Sequence, residues 1–132
     1  MAKRLGFSKR QRIHQRGDFA RLLRRRCSAG DGVLVVYVDA GAADWPRLAV
    51  RASKRLGGAV VRNRARRRLK EAFRLRQHEL PVLDILCQLR SADASVEAFG
   101  ASLERLVRAA QRRLERAQAR DAAIPRSRPD SR

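Results

Sequence analysis

The sequence has few of the residues that build metal centres and disulfide scaffolds, and its apolar residues are not gathered into long runs. Its 132 residues include two cysteines and two histidines, and 5% are aromatic. Cys27 and Cys87 lie far apart and fit no metal-binding spacing, so we expect two reduced thiols in a cytoplasmic protein. No stretch approaches the ~18 apolar residues that a membrane span needs, and the first residues lack the apolar run of a signal peptide.

Acidic residues are also scarce, whereas basic residues are abundant. The 32 lysines and arginines outnumber 13 acids, which gives a formal net charge of +19. Residues 1–26 hold ten bases and one acid, residues 62–76 hold eight and one, and residues 77–132 are nearly balanced. A well-solvated surface would mix both signs throughout. The pattern therefore indicates a directed basic face that attracts polyanions, nucleic acid first and an anionic membrane surface second.

Periodicity predicts three helices in a chain of one domain over residues 1–118. A short helix begins near Asp18, which serves as an N-cap or first-turn acid. A basic helix follows the glycines at 57–58 and ends before Pro81. A long amphipathic helix follows Ser91 or Asp93 as its cap. We expect residues 1–15 to form an irregular arm, and residues 119–132, which are rich in proline and arginine, to form a disordered tail.

Three segments rich in β-branched or alternating residues predict strands, over 33–38, 47–54 and 82–89. Residues 28–32 have the composition of a turn-rich connector. The order α-β-β-α-β-α predicts a small α+β sandwich in which helices cover one face of the sheet. The other face would be a shallow groove, toward which Tyr37, Arg47 and Arg51 are expected to point.

The basic helix keeps an apolar stripe despite its charge. At 3.6 residues per turn, the stripe occupies an arc of about 120° and consists of Val61, Ala65, Leu69, Ala72 and Phe73. Arg64, Arg66, Arg67 and Lys70 project elsewhere, and Arg62 lies inside the arc in the first turn. A long side chain in that position can swing out to solvent.

The sequence contains little that indicates catalysis. His14 and His78 stand beside no serine, cysteine or carboxylate in a motif, and Asp84 and Asp93 are isolated carboxylates. The glycines at 30–32 and 57–58 match neither a P-loop nor a dinucleotide fingerprint. We therefore predict no catalytic residue and no metal ligand in this chain.

The evidence for nucleic-acid binding is stronger. Neighbouring arginines on the basic helix can grip successive phosphates bidentately, and the glycines before the helix leave its first amides open to an anion. Tyr37 and Phe19 are candidates to stack on unpaired bases, with core packing as the alternative for each. These residues alone leave DNA, ribosomal RNA and other RNAs open as ligands.

One segment carries a longer pattern. The stretch "RLAVRASKRLGGAVVRNRARRRLKEAFRLRQHELPVLDI" closely resembles the bacterial ribonuclease P protein family. The "RNR" of Arg62–Arg64, the following Arg66–Arg67 pair and the "KEAF" at 70–73 match that family's signature helix. "RIHQRGDFARLL" is similar to its N-terminal helix, and the resemblance extends over about residues 5–116.

The resemblance implies a fold with one more short strand, α-β-β-β-α-β-α, and a left-handed crossover at the basic helix, against the usual handedness. It implies a catalytic ribonuclease P RNA as partner and precursor tRNA as substrate, whose 5′ leader is removed by hydrolysis. Mg²⁺ would be held by RNA rather than by the protein. Neither an obligate protein partner nor a membrane is implied.

The family's functional residues can be carried over by position. The set expected to bind the RNA subunit is Lys54, Arg55, Arg62, Asn63, Arg64, Arg66, Arg67 and Lys70. The set expected to line a leader-binding cleft is Phe19, Leu23, Tyr37, Arg51 and Ser53. Leu23 stands where the family often has phenylalanine, Arg51 replaces a small hydroxyl residue, and Arg68 and Gln88 replace apolar residues.

Two other functions compete with this interpretation. A non-enzymatic ribosomal or nucleoid protein that binds RNA or DNA would explain the charge, although not the signature across strand, turn and helix. An enzyme that cleaves RNA alone would need a general base or a metal site, and the sequence indicates neither.

Overall fold

The computed structural model describes residues 9–13 and 16–123, and these form three α-helices and four strands in the order α-β-β-β-α-β-α. In chain order the elements are α1 (Arg16–Arg25), β1 (Ser28–Gly30), β2 (Leu34–Asp39), β3 (Arg47–Arg51), α2 (Ala59–Arg76), β4 (Asp84–Leu89) and α3 (Val96–Ala123). Single 3-10 turns occupy Lys9–Gln11, Lys54–Leu56 and Gln77–Glu79.

The strands form one mixed sheet in the order β1-β2-β4-β3. The β1–β2 and β2–β4 pairs are antiparallel, whereas β3 and β4 are parallel and are joined through α2. The α+β class is confirmed, and so is the element order that the resemblance implies. The handedness of the crossover through α2 stays a prediction.

The additional strand lies where the composition predicted a connector, so that prediction is wrong for residues 28–30. Ser28 pairs with Tyr37 and Gly30 with Val35 across β2. The segment Ser-Ala-Gly has no β-branched or aromatic side chain, and its extended form depends on pairing with β2 rather than on intrinsic propensity.

Both ends of the long helix differ from the prediction. The Ser95 hydroxyl accepts a hydrogen bond from the Ala98 amide at 3.1 Å, as an N-cap does. Ser91 instead accepts from the Asp93 amide at 3.2 Å, in a turn before the helix. At the other end α3 continues to Ala123, past residue 119, where the tail was expected to begin. Residues 124–132 lie outside the described residues.

The main core lies between one face of the sheet and the two long helices. Residues of the strands point into it, among them Leu48, Val36 and Ile85. Helix α2 contributes Leu69 and Phe73, and α3 contributes one row of apolar residues, namely Phe99, Leu103, Leu106, Val107, Ala110 and Leu114. Cys27 and Cys87 are buried, free thiols, and burial raises the pKa of Cys87.

The opposite face of the sheet is covered at one end by α1. Leu22 of α1 is fully buried there against Ala49 and Leu86, together with Ile13 of the N-terminal segment. Beside this small cluster, Arg21 of α1 donates to Asp39 at 2.7 Å and to Asp84 at 2.5 Å. The helix is therefore attached to the sheet by both apolar packing and ion pairs.

The described part of the N-terminal arm runs along the free edge of β3. The Ile13 amide donates to the Leu48 carbonyl at 3.0 Å. The Trp45 indole donates to the Arg10 carbonyl at 3.1 Å, and the Arg10 guanidinium lies 4.7 Å from the centre of its ring. Gln11 is hydrogen-bonded to Gln77, which follows α2. The arm thus protects an edge strand, while residues 1–8 and His14 lie outside the described residues.

Candidate nucleic-acid interface

Helix α2 presents its charge outward because its apolar residues recur on one side. Ala65, Leu69, Ala72 and Phe73 are fully buried. The residues on the far side, Asn63, Arg64 and Arg67, are exposed. Val61 was predicted to belong to the buried stripe, but it lies in the first turn beyond the edge of the core and is 37% exposed.

Three long side chains lie at the edges of the apolar stripe, where each runs partly along the protein surface. Arg62 is half-buried, and its Nε has no hydrogen-bond partner within the described ranges. Arg68 reaches across to the turn before α3, where it donates to the Ala92 carbonyl at 3.5 Å. Arg66 donates to the Asn63 side chain at 3.3 Å, which aligns two residues of the signature.

Lys70 lies where α2 meets the N-terminal arm. Burial lowers its pKa, and the positive charges of Arg12 and Arg66 lower it further. Such crowding of like charges costs stability in the free protein and is relieved when a polyanion binds. We call the surface formed by Asn63, Arg64, Arg66, Arg67 and Lys70 the α2 basic face.

The approach to α2 is shaped by two glycines. Gly57 has φ 137°, in the region that favours glycine, and an added Cβ would meet the side chain of Val61 at 3.1 Å. Gly58 is the N-cap and supplies no side chain to the first amides of the helix. Lys54 and Arg55 are exposed in the turn just before. Positive charge and open amides therefore adjoin the α2 basic face.

The sheet face opposite the long helices carries three rows of side chains that run across the strands. The first row consists of Asp39, Asp84 and Arg47. The second row consists of Tyr37, Leu86 and Ala49. Val35, Gln88 and Arg51 form the third. Helix α1 contacts the first two rows, through its ion pairs and its apolar cluster. The third row extends beyond these contacts, and we call it the open row.

Arg47 was expected to point toward an open groove. It lies on the predicted face of the sheet, but α1 contacts that part of the face, so the prediction of an open groove around Arg47 is wrong. Its guanidinium donates to both carboxylate oxygens of Asp84, at 2.8 and 2.6 Å, and lies 3.8 Å from Asp18 of α1. The hydrogen bond to Asp84 is the main cause that raises the pKa of Arg47. This arginine is therefore occupied in attaching α1 to the sheet.

The predicted cleft residues fall into two groups. Phe19, Leu23 and Tyr37 are half-buried and pack against the small cluster under α1, so they form a wall beside the open row. Arg51 and Ser53 are exposed. Gln88 is half-buried between Val35 and Arg51 in the open row, which explains why a polar residue is tolerated in this strand.

The two predicted surfaces meet at the end of β3. Arg51 belongs to the open row, and Ser53 follows it just before the turn that carries Lys54 and Arg55. Five residues after Lys54, α2 begins at Ala59. The open row and the α2 basic face are thus adjacent, but they are built from different elements.

Two further results concern cofactors and membranes. Among residues 9–13 and 16–123 there is no group of three or more His, Cys, Asp or Glu side chains able to hold a metal ion. The carboxylates of Asp18, Asp39 and Asp84 are instead paired with Arg21 and Arg47. None of the helices in the described segments has the length and apolar character required to cross a bilayer.

Some relevant residues were not found from the sequence. Arg12 extends the positive surface beside Lys70, but it reaches that position through its bridge to Leu48, which no local pattern indicates. Arg21 was counted within the basic N-terminal block, but it is hydrogen-bonded to Asp39, Asp84 and Asp18. Burial alone would lower the pKa of Arg21, and these hydrogen bonds outweigh burial and raise it. Part of that block therefore stabilises the fold.

Together these features define a small α+β protein with one arginine-rich helical face and one partly open sheet face. The family model described as Ribonuclease P matches residues 7–117. The Ribonuclease P protein component of Clostridioides difficile is 31% identical over 108 residues, which cover 79% of this chain and 95% of that protein. The corresponding component of Coxiella burnetii is 34% identical over 120 residues, covering 90% and 98%.

A solved structure agrees with these relatives. The RNase P protein of Staphylococcus aureus superposes with a TM-score of 0.67 at 30% identity, over 74% of this chain and 93% of that one. The chain belongs to the ribonuclease P protein family.

Proposed function

We propose that this chain is the protein subunit of a ribonuclease P, in which it binds the catalytic RNA and the 5′ leader of precursor tRNA. The observation that carries the proposal is that Asn63, Arg64 and Arg67 of the signature stand exposed on the side of α2 away from the core, in a chain that the family model matches over residues 7–117. The holoenzyme removes the leader by endonucleolytic hydrolysis, which leaves the mature 5′ end of the tRNA. We place this activity in the cytoplasm.

The α2 basic face contacts the catalytic RNA in this proposal. Arg64 and Arg67 are exposed on neighbouring turns, so their guanidinium groups can bind separate phosphates. Each neutralised phosphate releases counterions, which makes the contact favourable at moderate salt. Lys54 and Arg55 extend the same contact toward the open amides at the start of α2.

The open row and the wall beside it receive the leader. A leader is single-stranded, so its bases are free to stack on an aromatic ring. Phe19 and Tyr37 offer partly exposed ring surface, Leu23 adds apolar contact, and Arg51 supplies a charge for the backbone. None of these contacts reads a unique sequence, which suits a protein that must accept many precursors.

The protein contributes binding and orientation, and we propose that RNA supplies the hydrolytic chemistry. In this proposal Mg²⁺ is held by the catalytic RNA and the substrate phosphates, where it activates water. The side chains of the described ranges do not form a metal site, and no step of the proposal passes through a metal bound to this chain.

The proposal is tested by binding to a bacterial ribonuclease P RNA at several salt concentrations. Arg64→Ala should weaken binding and lower the slope of log affinity against log salt by about one phosphate contact. Arg112→Ala removes an exposed arginine of α3 and is the matched control, expected to bind like the unsubstituted protein. Equal loss in both variants, or equally tight binding to duplex DNA, would favour a ribosomal or nucleoid protein instead.

A further inference from the structure

A second concentration of positive charge lies at the edge of the sheet farthest from the strand that leads into α2. A concavity of about 360 Å³ opens between the end of α1 and the distal part of α3. Five arginines line it, Arg25 and Arg26 from the α1 side and Arg113, Arg116 and Arg120 from α3. We call it the arginine pocket. At roughly 30 Å³ per water, it has room for a hydrated phosphate group.

Most of this charge is not neutralised by the residues that the structure describes. Arg25 pairs with Asp121 at 3.0 Å and lies 3.7 Å from Asp39. Within the described part of the chain, the other four arginines form no ion pair with an acid. Arg113 instead donates to the Ser28 carbonyl at 2.7 Å, which holds α3 against β1. Four like charges around one concavity repel one another unless an anion enters it.

The backbone at the pocket supports the same conclusion. Arg26 has φ 58°, a left-handed conformation, and it is the only residue other than glycine with positive φ among those described. Glycine is the usual residue at this position after a helix, because a Cβ makes the conformation unfavourable. Arg26 places its guanidinium at the pocket although its backbone conformation is strained. Backbone strain of this kind is typical of functional sites.

The position of the pocket identifies which anion it would receive. It adjoins β1, whose Ser28 pairs with Tyr37. Tyr37 belongs to the wall beside the open row, which we call the leader wall. The α2 basic face lies toward β3, three strand intervals away, or about 14 Å. The open row ends at Gly30 of β1, whereas the pocket lies at the other end of β1, beside Ser28 and Cys27. A strand of RNA that leaves the open row and passes Tyr37 toward Ser28 therefore arrives at the arginine pocket.

We propose that the arginine pocket binds a backbone phosphate of single-stranded RNA, namely of the leader upstream of the nucleotides held in the open row. This inference rests on the proposed function and deepens it. The pocket then makes the affinity for precursor tRNA depend on leader length. Guanidinium groups bind phosphate oxygens in pairs without regard to base identity, so the effect is independent of leader sequence.

The test uses holoenzyme reconstituted from the full chain and a bacterial ribonuclease P RNA. Its ligands are mature tRNA and precursor tRNAs whose leaders increase in length. The first variant is the double substitution Arg116→Ala and Arg120→Ala, which removes two exposed pocket arginines from α3. The second is Arg26→Gly, which removes one charge and relieves the backbone strain. Arg112→Ala, outside the pocket on α3, is the control, and the melting temperature of each protein reports its fold.

Both pocket variants should bind mature tRNA and short-leader precursors like the unsubstituted protein, and long-leader precursors more weakly. The slope of log affinity against log salt for long-leader precursors should decrease by about 0.7 for each leader phosphate that the variant no longer neutralises. Arg26→Gly should lower this slope although its melting temperature is no lower than that of the unsubstituted protein.

Unchanged affinity of both variants for every leader would overturn the inference. So would an equal loss for mature tRNA or for the catalytic RNA alone, because the pocket would then contact another part of the complex. If the unsubstituted protein does not bind the catalytic RNA at all, the proposed function fails, and the leader assignment fails with it.

Discussion

Arg21 of α1 and Asp84 of β4 are joined by a hydrogen-bonded ion pair of 2.5 Å, although 63 residues separate them in sequence. Asp84 also accepts two hydrogen bonds from Arg47, and its side chain is only 1% exposed. One buried carboxylate therefore holds two arginines and fixes α1 over the sheet. The position of α1 in turn determines where Phe19 and Leu23 stand beside the open row.

Asp84→Asn should destabilise the protein by about 3 kcal/mol, because it leaves two partly buried guanidinium groups without their shared counter-ion. Urea unfolding measures the change. Asp44→Asn makes the same substitution at an exposed acid and should stay within about 0.5 kcal/mol of the unsubstituted protein. Equal unfolding midpoints for the two variants would show that the ion pairs do not hold α1.

Asp31 connects the β1–β2 turn to α3 and should make the stability depend on acid pH. Burial opposes its charge, but hydrogen bonds from the Leu34 and Val33 amides and from Ser102, with Arg105 nearby, lower its pKa. Because the pKa of Asp31 is lower in the folded state than in the unfolded state, its charge stabilises the fold at pH values above the unfolded-state pKa near 3.9. This stabilisation is lost as the pH falls through the folded-state pKa.

Asp31→Asn should therefore cost about 1–3 kcal/mol at neutral pH, and the difference from the unsubstituted protein should shrink below about pH 4. Urea unfolding at neutral and acid pH gives both values. Asp93→Asn, an exposed acid outside this network, is the control. A difference that stays constant with pH would mean that the charge of Asp31 is not what stabilises the turn.

Lys70 should make RNA binding sensitive to alkaline pH. Burial and the charges of Arg12 and Arg66 lower its pKa in the free protein, whereas bound phosphates favour its protonated form. As pH rises through that lowered value, the free protein loses the proton that binding needs, and affinity for the catalytic RNA falls. Lys70→Arg keeps the charge at all these pH values.

The affinity for the catalytic RNA is measured from pH 7 to about 10, a range that stays below the ordinary lysine pKa of about 10.4. The unsubstituted protein should lose affinity along this series, and the Lys70→Arg variant should lose less. Parallel curves for the two proteins would place Lys70 outside the contact with RNA.

Tyr37 should contribute to precursor binding without contributing to assembly. Tyr37→Leu keeps an apolar side chain against the cluster under α1 and removes the ring, so stacking worth about 1–3 kcal/mol per base is removed. Holoenzyme affinity should fall for precursor tRNA and remain unchanged for mature tRNA, while Tyr37→Phe, which keeps the ring, should behave normally. Equal losses for both RNAs would contradict the assignment of Tyr37 to the leader wall.

Local pattern was sufficient for the parts of the fold that repeat a simple period. Alternation predicted that Arg47 and Arg51 lie on the face of β3 away from the long helices, and they do, whereas Leu48 and Val50 between them pack on the main core. The stripe of α2 was predicted correctly except for Val61, which was included in it but lies in the first turn at the margin of the core. These features follow from side-chain direction alone, because a strand or helix that buries one face must carry apolar residues at the period of that element.

Features that depend on tertiary pairing were missed. Ser28–Gly30 becomes a strand only because β2 lies beside it, and Arg12 reaches Lys70 only because the arm joins the edge of β3. The burial of Arg47 against Asp84 depends on where α1 crosses the sheet. The RNA-binding roles came from resemblance rather than from these patterns, since a dense arginine helix by itself admits several polyanions.

The most direct test of the account is cleavage of a 5′-labelled precursor tRNA at low Mg²⁺. The reactions contain this protein alone, ribonuclease P RNA from the same source alone, or both together. The account predicts efficient cleavage at the mature 5′ end only when both are present. A properly folded RNA that cuts equally well without the protein, or cleavage by the purified protein without RNA, would contradict the role of this chain as the protein subunit.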